Sequence, residues 1–439
     1  MEKRISKRVS AAILQSLSAG VVPRRGAEHI VVGRKAEIET LLRDMDDVIA
    51  DGGATCRLLV GRYGSGKSFM LQLLRNYAFQ RNFVVADADL SPQRRLTGSK
   101  GEGLATYREL MMNMAIKTRP DGKAFATVLE KWISKVQTQF VRAGIDRNSR
   151  RFSGAVEQGI YDVVDAMEDM VHGADFAKVI HDYWHGHQIG DDDLKAAAIR
   201  WLRGEYNVKT EARQALGVRS IIDDESWYDY IKLMASFVHE IGYSGLIIFV
   251  DEAVNLHRIS HAVSRRNNYE RLLSIFNDTR QGGAEYLGVF FGATPDMVQD
   301  TRRGLFSYDA LKTRLEQSRF VRDGLRDLNA PLIHLDMLSQ DEIHSLLQHI
   351  REIHAFHHKY ESSLDDLQLK AFMSTVSARV GADSLLTPRE VVRDFVSLLN
   401  LLQQYPDQTF DSILGDVEFT TSDASHLEAE DSPYASFQI

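Results

Sequence analysis

Two strings in this chain combine residue types that handle phosphate. The first is Gly61-Arg62-Tyr63-Gly64-Ser65-Gly66-Lys67-Ser68, a complete G-x-x-x-x-G-K-S, followed by Phe69. Its glycines let the backbone curl so that successive N–H groups converge on a β-phosphate, and the following helix adds the positive end of its dipole. Lys67 is spaced to reach the β- and γ-phosphates, and Ser68 to offer a hydroxyl to Mg²⁺. The second string is Asp251-Glu252, at the end of the apolar run Leu246-Ile247-Ile248-Phe249-Val250. Asp251 is predicted to hold Mg²⁺, directly or through water. Glu252 is predicted to polarise an attacking water beside the γ-phosphate. Alone, the first string could be a glycine-rich turn and the second two solvated acids. Together they predict binding and hydrolysis of a nucleoside triphosphate. No N-K-x-D guanine-reading tetrapeptide occurs, which favours ATP.

Four further positions have side chains suited to the same chemistry. Thr294 ends the run Leu287 to Ala293 and precedes Pro295. Its hydroxyl suits either a sensor of the γ-phosphate or an N-cap, and the two roles are compatible. Arg314, about twenty residues on, suits stabilisation of phosphoryl charge in a neighbouring subunit, with Arg302 and Arg303 as competitors. Arg389 opens a helix after Thr387-Pro388 and is placed to reach back over the γ-phosphate; a solvated first-turn arginine is the alternative. Val32, Gly33 and Arg34, together with Val21 to Pro23, are expected to wall the adenine side. Two histidine groups (His181, His185 and His187; His349, His354, His357 and His358) have spacings a zinc site could use. They lack cysteine or acidic partners and are read as solvated helix faces.

The elements that must position these residues read as strands alternating with helices. The phosphate loop lies between the apolar Leu58-Leu59-Val60 and a helical pattern from Ser68. Further strands are expected at 83–90, 245–250, 286–293 and 332–335. That alternation predicts an α/β fold, a doubly wound parallel sheet with its site at the strand C-termini. Ser91-Pro92 reads as an N-cap followed by proline at the first helical position. Residues 1–27 are expected to form a helix and linker, and 28–330 the P-loop core, with a large helical insertion at about 107–243. Residues 331–405 read as a helical lid subdomain, marked by two capping boxes, Ser339 to Glu342 and Thr387 to Glu390. Residues 406–439 read as an acidic, disordered tail.

Bulk properties narrow the class. The chain has 439 residues, with apolar and charged fractions ordinary for a soluble globular protein. No run approaches a membrane span, and the basic N-terminus lacks an apolar core behind it. Cys56 is the single cysteine, which excludes an internal disulfide and any multi-cysteine metal site. A cytoplasmic setting is the expectation. The net charge of −8 is uneven: seven acids and no Lys or Arg fall in residues 411–439. The remainder is nearly neutral, with basic clusters at Arg94-Arg95, 147–151, Arg265-Arg266 and Arg302-Arg303 that permit nucleic-acid binding.

The strings GVVPRRGAEHIVVGRKAEIETLLRDM, VVADADLSPQRRLTG, LIIFVDEAVNL and LTPREVVRDF resemble one family. They are similar to the P-loop ATP-binding proteins of BREX-type phage-defence islands, the BrxD-like group, over nearly the whole chain up to about residue 404. The resemblance implies an AAA+-like ATPase of the origin-recognition and initiator group, with a helical lid. It implies partners within a multi-gene antiphage system, commonly including a helicase. By position it assigns Lys67 and Ser68 to Walker A, Asp251 and Glu252 to Walker B, Thr294 to the sensor and Arg389 to the lid arginine. No winged-helix pattern is recognisable after the lid, unlike in the initiator proteins, so DNA contact is expected from the insertion, basic patches or a partner. The leading expectation is an ATP- and Mg²⁺-dependent switch or motor that forms homo-oligomers with ATP and acts on DNA or a DNA-processing partner. A regulatory scaffold that oligomerises with nucleotide and recruits an effector is the alternative. A small-molecule kinase is disfavoured by the long gap between Lys67 and Asp251.

Overall fold

The structure is a computed structural model that describes residues 5–165, 167, 170–318, 320–321, 325–379 and 387–415. These form two compact units. The larger spans Arg34–Arg62 and Gly66–Asp336. The smaller combines the described parts of Met1–Gly33 and Met337–Ile439 with Tyr63–Ser65.

The larger unit is built on five parallel strands: β1 (Ala54–Val60), β2 (Val84–Asp89), β3 (Leu246–Asp251), β4 (Leu287–Ala293) and β5 (Leu332–His334). Their spatial order is β2-β3-β4-β1-β5. β1 and β4 are buried along their whole length, as expected of central strands covered on both faces. Their register pairs Val60 with Ala293, and the register of β2 with β3 pairs Asp89 with Asp251. The strand C-termini that carry chemistry therefore emerge at the same end of the sheet.

One charged residue interrupts β1. Arg57 is only 4% exposed, yet each nitrogen of its guanidinium is hydrogen-bonded. It grips Asp44 with two bonds, at 2.6 Å from Nε and 2.7 Å from Nη2. Nη1 also donates to the carbonyls of Asn329 and Ala330, at 2.7 and 2.6 Å. A buried charge is tolerated only when paired and hydrogen-bonded in this way.

Among the described residues, seven helices lie between β2 and β3, from Glu102–Asn113 to Trp227–Glu240. Their core contains all four tryptophans, Trp132, Trp184, Trp201 and Trp227, each buried. Trp132 meets Phe237 edge-on at 5.2 Å, and Trp201 meets Tyr230 at 5.3 Å. The expected helix at Ser91-Pro92 does not form. Ser91 and Arg94 instead pair backbone to backbone in a tight turn, and Ser91 Oγ accepts from the N–H of Gln93 and Arg94. The serine spends its hydroxyl on a turn, an option this residue type always carries.

In the smaller unit the helix Lys7–Ser18 packs with Gln340–His358 and Pro388–Gln404. Ser10 Oγ bonds His357 Nδ1 at 3.0 Å. An amphipathic helix needs a partner for its apolar face, and here Ile13 and Leu14 are buried. Both capping boxes form, at Ser339 with Glu342 and at Thr387 with Glu390. The predicted disordered tail does not hold from residue 406. A helix, Phe410–Gly415, follows, burying Phe410 and Leu414, an i,i+4 apolar pair whose burial outweighs the acidic composition around it. Residues 416–439 of that tail lie outside the described residues.

Candidate functional site

The turn after β1 has a backbone that suits a phosphate loop. Gly64 and Gly66 both have positive φ, +80° and +89°, a region side-chain-bearing residues avoid. A Cβ at Gly66 would meet nothing within 4 Å, so the backbone there faces free space at the start of the helix Lys67–Gln80. Gly61 N–H donates to Ala293 C=O at 3.1 Å, which ties the loop to the end of β4. Lys67 Nζ turns back onto the carbonyls of Gly61 and Arg62, at 2.8 and 3.0 Å. Burial holds the Lys67 ammonium below its usual pKa, against the opposing pull of Asp251 and Glu252, so these three side chains are electrostatic neighbours. Ser68 is exposed on the first turn of the helix, followed by the half-buried Phe69.

The acids at the end of β3 form a second cluster. Glu252 is raised above its ordinary value, by desolvation first and then by Asp251 and Asp89. Asp89 is raised as well, by desolvation first and then by Asp251 and Asp87. Asp89 escaped the sequence reading because only strand register places it opposite Asp251. Glu252 has φ +54°, a left-handed conformation that costs a non-glycine residue roughly 1–2 kcal/mol. Its N–H donates to Asp251 Oδ1 at 2.8 Å. A Cβ added at Gly292 in β4 would collide with that same Oδ1.

The remaining positions divide. Thr294 follows β4, which lies between β1 and β3, and its Oγ1 accepts from Met297 N–H at 3.3 Å as an N-cap. Its hydroxyl proton is left to donate elsewhere. Arg314 is bound within its own chain, to Asn277 Oδ1 at 2.9 Å and Ala310 C=O at 2.8 Å. Arg303 leans on the carbonyls of His257 and Ile259, both at 3.4 Å. Arg302 is exposed, and its backbone N–H donates to Asp300 Oδ1 at 2.7 Å. Asp300 also accepts from His257 Nε2 at 3.1 Å, which draws its carboxyl down to about 2. Arg34 bonds Asp336 C=O. In the smaller unit, Val32 is half-buried and Gly33 has φ +60°. There too, Arg389 Nη1 stands 3.5 Å from Tyr63 Oη.

The donor set fits a hard divalent cation. Ser68 offers a hydroxyl and Asp251 a carboxylate, and Mg²⁺ takes few protein ligands because phosphate and water supply the rest. Among the described residues no three His, Cys, Asp or Glu gather as a metal cage, and this mode needs none. His354, from one of the histidine groups, is fully buried between Tyr360 Oη at 3.0 Å and Asn400 Oδ1 at 3.1 Å.

An all-parallel sheet with a glycine-bent loop entering a helix after β1, and paired acids after β3, defines a P-loop α/β protein. The profile of the family described as "BREX system ATP-binding protein BrxC/D" matches residues 5–418, and the chain belongs to that family. No match to a curated protein was found. Membership makes ATP the ligand and other proteins of the BREX system the partners. Among the described residues no helix is long and apolar enough to cross a membrane.

Proposed function

We propose that the chain hydrolyses ATP with Mg²⁺ and acts as a nucleotide-driven, AAA+-like switch or motor of the BREX system. The observation that carries this reading is the strand order. β4 stands between the phosphate-loop strand and the Asp251-Glu252 strand, and Lys67 lies within the field of both acids. That order supports a γ-phosphate held between the loop and the acids.

In this reading Lys67 leaves the Gly61 and Arg62 carbonyls for the β- and γ-phosphates. The N–H groups from Gly64 to Phe69 cradle the phosphates, and Ser68 and Asp251 hold Mg²⁺, which offsets phosphate charge when bound. Glu252 accepts the proton of the attacking water, a task for which a raised carboxyl pKa is suited. Thr294 donates its hydroxyl proton toward the γ-phosphate side. Val32, Gly33 and Arg34 serve the adenine, and Arg389 reports nucleotide state to the helical unit. For the arginine acting in a neighbouring subunit, Arg302 has a better claim than Arg314, whose guanidinium is already engaged. DNA, bound directly or through a helicase partner, is the proposed output. Arg147, Arg150 and Arg151 support it, being exposed and in no ion pair among the described residues.

The test is Glu252→Gln. It should bind a fluorescent ATP analogue within about threefold of wild type while turnover falls by about 10²-fold or more, in the range for loss of a general base. Wild-type turnover in the variant would sink the assignment of Glu252.

A further inference from the structure

Glu252 does not hold its left-handed backbone unaided. Its carbonyl accepts two bonds from Asn255, one from the backbone N–H at 3.0 Å and one from side-chain Nδ2 at 3.2 Å. The same amide nitrogen donates to Leu90 C=O at 2.9 Å, on the residue that follows β2. Leu90 N–H in turn donates to Asp251 C=O at 3.0 Å. On the other flank, Ala253 N–H donates to Gly292 C=O of β4 at 3.1 Å. The short turn Asp251-Glu252-Ala253 is thereby tied to both neighbouring strands, and one side-chain amide makes the link between β2 and Glu252.

An asparagine in the first turn of a short helix ordinarily caps its own backbone. Here one amide proton closes the local turn and the other crosses to a different strand, so the side chain uses its full donor capacity. We infer that Asn255 is a positioning residue for Glu252, fixing the turn that aims its carboxylate. Gly292 leaves the space that lets Asp251 Oδ1 reach the Glu252 N–H. This inference rests on the reading of Glu252 as the group that activates water. An αL turn held from three sides presents its side chain along one direction, and a misplacement of about 1 Å at a catalytic group can cost roughly 10²-fold in rate.

Asn255→Asp and Asn255→Ala separate donor capacity from size. Aspartate fills the same volume, but when ionised it only accepts, and it would face two carbonyl oxygens. Both variants should lower kcat at least tenfold, with the Kd of a fluorescent ATP analogue within about threefold of wild type. Aspartate should perform no better than alanine. Independently of turnover, amide hydrogen exchange in the nucleotide-free protein should speed about tenfold in segments 89–92 and 250–256 while β1 stays protected.

Wild-type kcat in Asn255→Asp, or unchanged exchange in both segments, would overturn the inference. A wild-type protein that bound ATP without turning it over would instead remove the hydrolysis reading, and the exchange comparison would still decide whether Asn255 clamps the turn. If either variant lost protection throughout β1, Asn255→Ser, which keeps one donor, would replace it under the same criteria.

Discussion

At the residue scale, this protein places titratable groups in environments that assign them separate tasks. Asp89, Asp251 and Glu252 lie at the ends of β2 and β3, and the upward pull on Glu252 and Asp89 comes from desolvation first and then from neighbouring carboxylates, Asp251 foremost. Lys67 is shifted the other way, because burial disfavours its charge more than the acids favour it. Cys56 follows the same rule, since burial disfavours its ionised form. It is fully enclosed in β1, and desolvation pushes its thiol up to about 12. The thiolate is the reactive form, and burial both suppresses it and denies a reagent access. Iodoacetamide should therefore leave the native protein unlabelled for hours and modify Cys56 promptly in 6 M guanidinium. Rapid labelling of the native protein would show that β1 is not enclosed as described.

At the element scale, β1 depends on a charge pair. Arg57 and Asp44 join the strand to the Asp44–Ile49 helical turn, and the guanidinium also anchors the chain at Asn329 and Ala330 just before β5. Removing only the acid leaves a buried cation short of its partner, so Asp44→Ala should destabilise the fold by about 3–5 kcal/mol. The double substitution Asp44→Leu with Arg57→Met should recover most of that loss, since a packed apolar pair often matches a buried ion pair. Urea midpoints at constant m-value would measure both. Equal midpoints for Asp44→Ala and wild type would mean that the pair contributes nothing. Elements were also where sequence patterning was most legible. The five strands and both capping boxes were readable as short apolar runs and S/T-x-x-E spacings, whereas Ser91-Pro92 was not. Its residues suit a helix start and a tight turn equally, and only the surrounding bonds of Ser91 with Arg94 chose the turn.

At the scale of the whole molecule, two compact units draw on interleaved stretches of chain, and the phosphate loop itself contributes to both. A switch of the proposed kind should change its assembly with nucleotide. Light scattering with a non-hydrolysable ATP analogue should show a larger species than the apo form, and ATP turnover should rise with added DNA or a BREX partner. A nucleotide-dependent size change with no response to DNA would favour the regulatory scaffold, and an unchanged monomer under all conditions would exclude both.

The sequence by itself determined the phosphate chemistry. G-x-x-x-x-G-K-S and Asp-Glu after an apolar strand need particular side chains at fixed local spacing, and local spacing survives in one dimension. It also determined the parallel α/β class, because strands separated by helices leave little else possible. The tertiary structure alone decided which neighbours those motifs have. Strand order set β4 beside β3, and register set Asp89 opposite Asp251. The fold brought Asn255 to Leu90 and drew Arg314 back onto Asn277. Such contacts join residues tens to hundreds of positions apart, and no local pattern encodes the direction in which a distant side chain will point.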